Sequence, residues 1–226
     1  MKKNRAEEEA GVWIRGPYEY KNPDRAESPS PERVALLNRV YSRLDYDLSF
    51  PLSIEHIPED IQDGALSFST AEAKTLFADT AAGRIGFLLL PREAGEQSRI
   101  GMQKTIERLR KDPEVVLVVA VSSLGAKEEN ALFSDQDFSP DVFLGGGPGA
   151  GMRGRVKDNG QTLWVRPYPR GTAVSVIRFY SLTGRSGEHT WVKNETVEFD
   201  ALPLRGKYKR DKEILDILTG KPDKGN

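Results

Sequence analysis

The chain has 226 residues and a mass of 25.2 kDa, with 33 Lys and Arg against 34 Asp and Glu, so its formal net charge is −1. That length holds one sizeable domain, or one with extensions, at roughly 150 residues per domain, and 38% hydrophobic content can build a core. Cysteine is absent, which excludes disulfides, thiol catalysis and cysteine metal sites. The longest apolar run, Ile85 to Leu90, falls far short of the ~20 residues of a membrane-spanning helix. His56 and His189 are the only histidines, which leaves little for imidazole chemistry.

Charge is uneven along the chain. Residues 1–150 carry 18 basic and 25 acidic side chains, whereas residues 151–193 carry 8 basic and 2 acidic. A basic segment on an acidic protein suits an anionic partner. Yet Arg153, Arg155, Arg166, Arg170, Arg178 and Arg185 alternate with apolar residues as the outward positions of strands do, and strand exteriors are the simpler expectation.

In chain order, residues 1–31 read as a charged leader followed by a loop punctuated by Gly16-Pro17, Asn22-Pro23 and Ser28-Pro29-Ser30-Pro31. Ser30 as cap and Pro31 at the first helical position open a helix whose apolar face is Val34, Leu37, Val40, Tyr41 and Leu44. Tyr46 to Leu52 reads as a short strand. Ser69 and Glu72 have the spacing of a capping box, but the residues after them favour a hairpin of Thr75–Thr80 and Ile85–Leu90 closed near Gly83.

Met102, Ile106 and Leu109 then mark a helix ended by Asp112-Pro113. Val115 to Val121 is wholly apolar, as suits a central parallel strand covered on both faces. A short helix (about Lys127 to Phe133), a strand (Asp141 to Leu144) and the run Gly145-Gly146-Gly147-Pro148-Gly149-Ala150-Gly151 follow. Asn159-Gly160 predicts a hairpin between Arg153–Lys157 and Thr162–Arg166, with further strands at Ala173–Tyr180 and Thr190–Phe199. A last helix is expected from about Asp211 to Leu218, closed by Gly220. The order predicts an α/β fold with a mixed sheet ending in an antiparallel meander.

Val115 to Gly125, a buried strand running into Ser122-Ser123-Leu124-Gly125, resembles the strand and Ser-His-Leu-Gly loop of calcineurin-like metallophosphoesterases, the 5′-nucleotidase branch above all. Asp141-Val142-Phe143-Leu144-Gly145-Gly146-Gly147-Pro148-Gly149 is similar to that branch's segment ending in Gly-Gly-His-x-His. Arg153 to Arg178 looks like its following hairpin and strand, and Val34 to Asp47 like the segment before its Gly-Asn-His-Glu loop. The resemblance spans roughly Glu32 to Tyr180. It implies a four-layer α/β/β/α sandwich, with 1–31 as leader and loop, 32–200 as the domain and 201–226 as a C-terminal helix and tail.

The family reaction is phosphate-ester hydrolysis at two metals, which needs a ligand set rich in His, Asp and Asn. Here the matching positions are Ser123, Gly147 and Gly149, vestigial as metal ligands, and His56 is out of register with the Gly-Asn-His-Glu loop. The expected reading is therefore a non-catalytic relative, a binding or interaction module with a degenerate site, no metal and no cofactor. The alternative is an active phosphoesterase with a remodelled site built from Asp45, Asp47, Asp135 and Asp141.

Gly145, Gly146 and Gly147 offer backbone N–H groups for an anion, although tight turns explain them more simply. Ser122 and Ser123 lack the surroundings of a nucleophilic serine. Tyr18, Tyr20 and Tyr168 are candidates for an aromatic rim, or for covering core edges. An anionic small molecule or a protein is the expected partner; no nucleic-acid motif and no membrane span is present. Members of the branch are commonly exported, whereas Met1 to Arg5 is followed by no apolar h-region, so the expectation is a cytoplasmic chain or an incomplete N-terminus.

Overall fold

The computed structural model describes residues 11–18, 20, 29–44, 46–52, 66–93, 95–134, 138–157, 160–168, 171–182, 190–204, 206 and 208–220. The chain divides into two compact units, Met1–Ser67 with Leu204–Asn226, and Phe68–Pro203.

The first unit is small. Strand β1 (Ile14–Arg15) is followed by helix α1 (Pro31–Leu44) and strand β2 (Leu48–Ser49), and β1 pairs parallel with β2. The bridge is longer than its strands: the Trp13 carbonyl accepts from Asp47 and Leu48, and Phe50 N–H donates to Arg15. Helix α1 begins where Ser30 predicted, with the Ser30 hydroxyl accepting from Arg33 N–H at 3.3 Å. Its expected apolar face is half-buried, as are Leu36 and Asn38, and the remaining positions are exposed. The strand expected over Tyr46 to Leu52 shrinks to two residues, because Pro51 ends regular pairing.

The second unit is a mixed α/β structure. Strands β3 (Lys74–Thr80) and β4 (Gly83–Leu89) form the predicted hairpin. Ser69 does cap, accepting from Glu72 N–H, but it stabilises a local turn before β3 rather than a helix. Helix α2 (Glu96–Lys111), strand β5 (Val115–Val121), helix α3 (Ala126–Leu132) and strand β6 (Val142–Leu144) continue the alternation, and β4, β5 and β6 run parallel.

Met102, Ile106 and Leu109 of α2, with Leu132 of α3, pack on Leu88, Leu90, Val118, Ala120 and Phe143. Residues of opposite parity, among them Phe87, Leu89, Leu117, Val119 and Val142, are buried too. With both faces covered, water is excluded from either side of the pleat, and the uninterrupted apolar run of β5 follows.

The meander expectation needs correction. Strand β7 (Met152–Val156) and strand β8 (Leu163–Arg166) are an antiparallel pair, but β8 lies beside β6 and β7 forms the edge, giving the order β3-β4-β5-β6-β8-β7. All four residues of β8 are buried, whereas β7 exposes Arg153 and Arg155. Apolar residues on both faces suit an interior strand, and edge charges discourage further pairing.

Among the described residues strand β9 (Ala173–Phe179) pairs with β10 (Val197–Pro203) alone, as a separate two-stranded ribbon. Phe199 of β10 lies against Gly154 of β7. The strand expected at Thr190 starts only at Val197, since Val192 to Val197 form a tight turn with Asn194 at φ 66°. Asn tolerates this left-handed conformation better than other side chains. Helix α4 (Lys212–Leu218), capped by Asp211, returns the chain to the first unit and contacts α1.

A Cβ on Gly154 would stand 2.9 Å from two carbons of the Phe199 ring. Gly154→Val is therefore expected to lower stability by about 1–3 kcal/mol through overpacking, measured by urea unfolding. In the ribbon, the Tyr180 hydroxyl donates to Glu198 at 2.7 Å, and this bond to the protonated phenol holds the Tyr180 pKa above its usual range. The contribution to stability is complete below the unfolded tyrosine pKa and disappears as pH rises through the folded value. Glu198→Gln should bring the Tyr180 titration back toward about 10, read from its ring 13C shift.

Candidate functional site at the carboxyl ends of the parallel strands

Parallel sheets gather their loops at the carboxyl ends of the strands, where α/β proteins bind ligands. Three segments meet there: Ser122 to Gly125 after β5, Gly145 to Gly151 after β6, and Arg166 at the end of β8. They are laced together by main-chain bonds. Ser122 N–H donates to Leu144, Gly125 N–H to Gly146, Ala126 N–H to Pro148, and Gly145 N–H to Val165, all between 2.8 and 2.9 Å.

A charge pair sits inside this lacing. Glu129, on α3, and Arg166 form a salt bridge with side chains 0% and 4% exposed. The Arg166 guanidinium also donates to the carbonyls of Ala150, Gly146, Gly147 and Pro148, at 3.0–3.4 Å. Its five N–H donors thus have acceptors in Glu129 and the loop. The carboxylate is equally engaged: Gly146 N–H donates to Glu129 Oε1 at 2.8 Å, and the Trp164 indole N–H to Oε2 at 3.2 Å. A buried ion pair persists only when such additional bonds replace the water both charges have lost.

This geometry explains the glycines by close approach. A Cβ on Gly147 would come within 2.6 Å of the Ser123 carbonyl oxygen, and one on Gly149 within 2.6 Å of the Ala126 methyl. Gly147 and Gly149 also adopt φ of 83° and 116°, which side chains strain to reach. Gly145 lies against Glu129 and the Arg166 stem. The triple-glycine loop does present an N–H to an anion, but the anion is the protein's own Glu129. Its carbonyls, turned inward, face a cation.

Of the other sequence candidates, Ser123 is buried beside Gly147, and the Ser122 hydroxyl accepts from Leu124 N–H at 3.1 Å, a local turn bond. Asp141 is at the amino end of β6, the opposite edge of the sheet. There it accepts from Val118 N–H at 2.6 Å and from Arg110 at 3.2 Å. Asp47 belongs to the first unit and accepts from Trp13 N–H. Tyr18 and Tyr20 fall in the first unit and Tyr168 in the second, where it covers Gly151. His56, His189, Asp45, Asp135, Arg170 and Arg185 lie outside the described residues.

Among the arginines expected on strand exteriors, Arg153, Arg155 and Arg178 are exposed, whereas Arg166 is buried because Glu129 and the loop carbonyls satisfy it. Glu129 was legible in principle: it stands three residues before Leu132, on the apolar face of a short helix, and a carboxylate there demands a buried partner.

A dinuclear metal centre of the kind the resemblance implies does not fit these positions. Ser123 offers one hydroxyl, Gly147 and Gly149 offer no side chain, and no side chain fits at either glycine with the loop in this conformation. Among the described residues no three His, Cys, Asp or Glu side chains gather to hold a metal ion. No helix among them is long and apolar enough to cross a membrane. No protein-family model matches the chain, and no curated protein matches its sequence.

Removing one partner of the pair leaves the other charged and buried. Glu129→Leu and Arg166→Met are each expected to lower unfolding free energy by about 3–5 kcal/mol. The double variant should lose clearly less than the sum of the two, as a thermodynamic cycle on urea unfolding would report.

Proposed function

We propose that this chain is a non-catalytic relative of the metallophosphoesterase and 5′-nucleotidase group, built on the four-layer α/β/β/α sandwich and kept as a binding or interaction module. The observation that carries the reading is the closed state of the carboxyl edge of the parallel sheet. The positions similar to the family's metal ligands, Ser123, Gly147 and Gly149, belong to loops bonded to one another and clamped on Glu129 and Arg166. Hydrolysis at such a site requires donors that hold metal and a position from which a metal-bound hydroxide attacks phosphorus. An internal ion pair whose carboxylate is held by Arg166, Gly146 and Trp164, and whose neighbouring carbonyls accept from the same guanidinium, supplies neither. The engagement of Asp141 with β5 at the far edge supports the same reading, since it keeps that carboxylate away from the glycine loop.

The test is turnover. The purified full chain is incubated with p-nitrophenyl phosphate and with nucleoside monophosphates, in Mg2+, Mn2+ and Zn2+ separately. The expected result is phosphate release no greater than a protein-free blank, with wild type and Ser123→Ala indistinguishable. Metal-dependent release by wild type that the Ser123→Ala variant lacks would overturn the proposal.

A further inference from the structure

A second buried arginine among the described residues is held differently from Arg166. Arg15, at the carboxyl end of β1, is 3% exposed. Its Nε–H donates to the Ser49 hydroxyl at 2.7 Å, across the β1–β2 pair, and its Nη1 to the Tyr20 hydroxyl at 3.2 Å. Its guanidinium carbon lies 4.7 Å from the centre of the Tyr41 ring and 5.5 Å from that of Tyr20, and the two rings meet edge to face. The Tyr20 hydroxyl donates to Asn38 Oδ1 at 2.5 Å while its oxygen accepts from Arg15.

Every one of these partners is neutral. Among the described residues no carboxylate reaches Arg15, and only two of the five guanidinium N–H groups have an acceptor. Arginine cannot shed its proton, so at 3% exposure and with neutral partners the guanidinium keeps a full charge with little water around it, a penalty that ring faces and hydroxyls offset only in part. Arg166, equally buried, shows what full satisfaction looks like in this same chain: a carboxylate and four carbonyls.

The unused donors of Arg15 lie on the Nη1 and Nη2 edge of the fork, the edge that grips an oxyanion with two parallel bonds. The Ser49 hydroxyl accepts from Nε and so keeps its own hydrogen to donate. Both strands end here, β1 at Arg15 and β2 at Ser49.

We infer that Arg15, walled by Tyr20 and Tyr41 and assisted by Ser49, is the anchor of an oxyanion-binding site that takes a phosphate or carboxylate group. The site lies wholly within the first unit and stands whether or not the chain hydrolyses phosphate esters, so its test and the turnover test fail independently.

The full chain is melted in sodium phosphate, sodium succinate and sodium chloride at one pH and one ionic strength, beside Arg15→Met. Wild type should melt higher in phosphate or in succinate than in chloride, and whichever raises it identifies the source of the oxyanion. Arg15→Met should melt at or above wild type in chloride, because it removes an unpaired buried charge, and should lose the anion-specific rise. Equal melting of wild type in all three salts would overturn the inference. So would a rise that Arg15→Met retains, or an equal loss by Arg15→Met in every salt. Should Arg15→Met not fold, Ser49→Ala serves. Titration with the stabilising anion, followed by calorimetry, should give a Kd weakened several-fold by loss of one hydrogen bond. An unchanged Kd would contradict the assignment.

Discussion

Two charges buried where three strand ends converge hold the second unit's loops in place. Glu129 comes from a helix and Arg166 from a strand 37 residues later, and each has lost the water that would otherwise solvate it. Their attraction alone does not repay that loss; the carbonyls of the glycine loop, the Gly146 amide and the Trp164 indole complete the hydration shell that protein atoms must replace. Much else follows from this demand. The loop after β6 must turn its oxygens toward one guanidinium, which forces its backbone into conformations and contacts that only glycine meets. Loops so bound to each other close the edge of the sheet where an α/β protein ordinarily receives its ligand.

The same electrostatic reasoning separates the two units. In one, a buried arginine is met by a carboxylate and a ring of carbonyls. In the other, Arg15 is met by hydroxyls and aromatic faces that carry no compensating charge. A guanidinium keeps its proton at any physiological pH, and none of the described residues supplies that of Arg15 with an anion. The two proposals are compatible: the phosphoesterase-like reading concerns the carboxyl edge of the large sheet, the oxyanion site the carboxyl end of the small parallel pair.

Sheet order also follows from where charge is tolerated. β8 is buried throughout and lies between β6 and β7, while β7, with Arg153 and Arg155 outward, takes the edge. At the opposite edge β3 leaves Phe77 exposed under the Arg84 guanidinium, which also pairs with Asp79 and Glu114. Edge strands that carry such charge are poor templates for pairing with another chain.

Local pattern in the sequence determined the elements. The spacing of Met102, Ile106 and Leu109, the cap at Ser30, the turn at Gly83 and the apolar run of β5 each depend on neighbours a few residues apart, and period and turn chemistry are local properties. The same pattern placed Arg166 on a strand but not inside the protein, and located Glu129 in a helix without its partner. Only tertiary structure decided that β8 enters the sheet between β6 and β7, that β9 and β10 leave it, and that a glycine run closes on an internal ion pair. Those outcomes depend on which distant segments become neighbours, and the free energy of a buried charge is set by those neighbours rather than by the residues beside it in the chain.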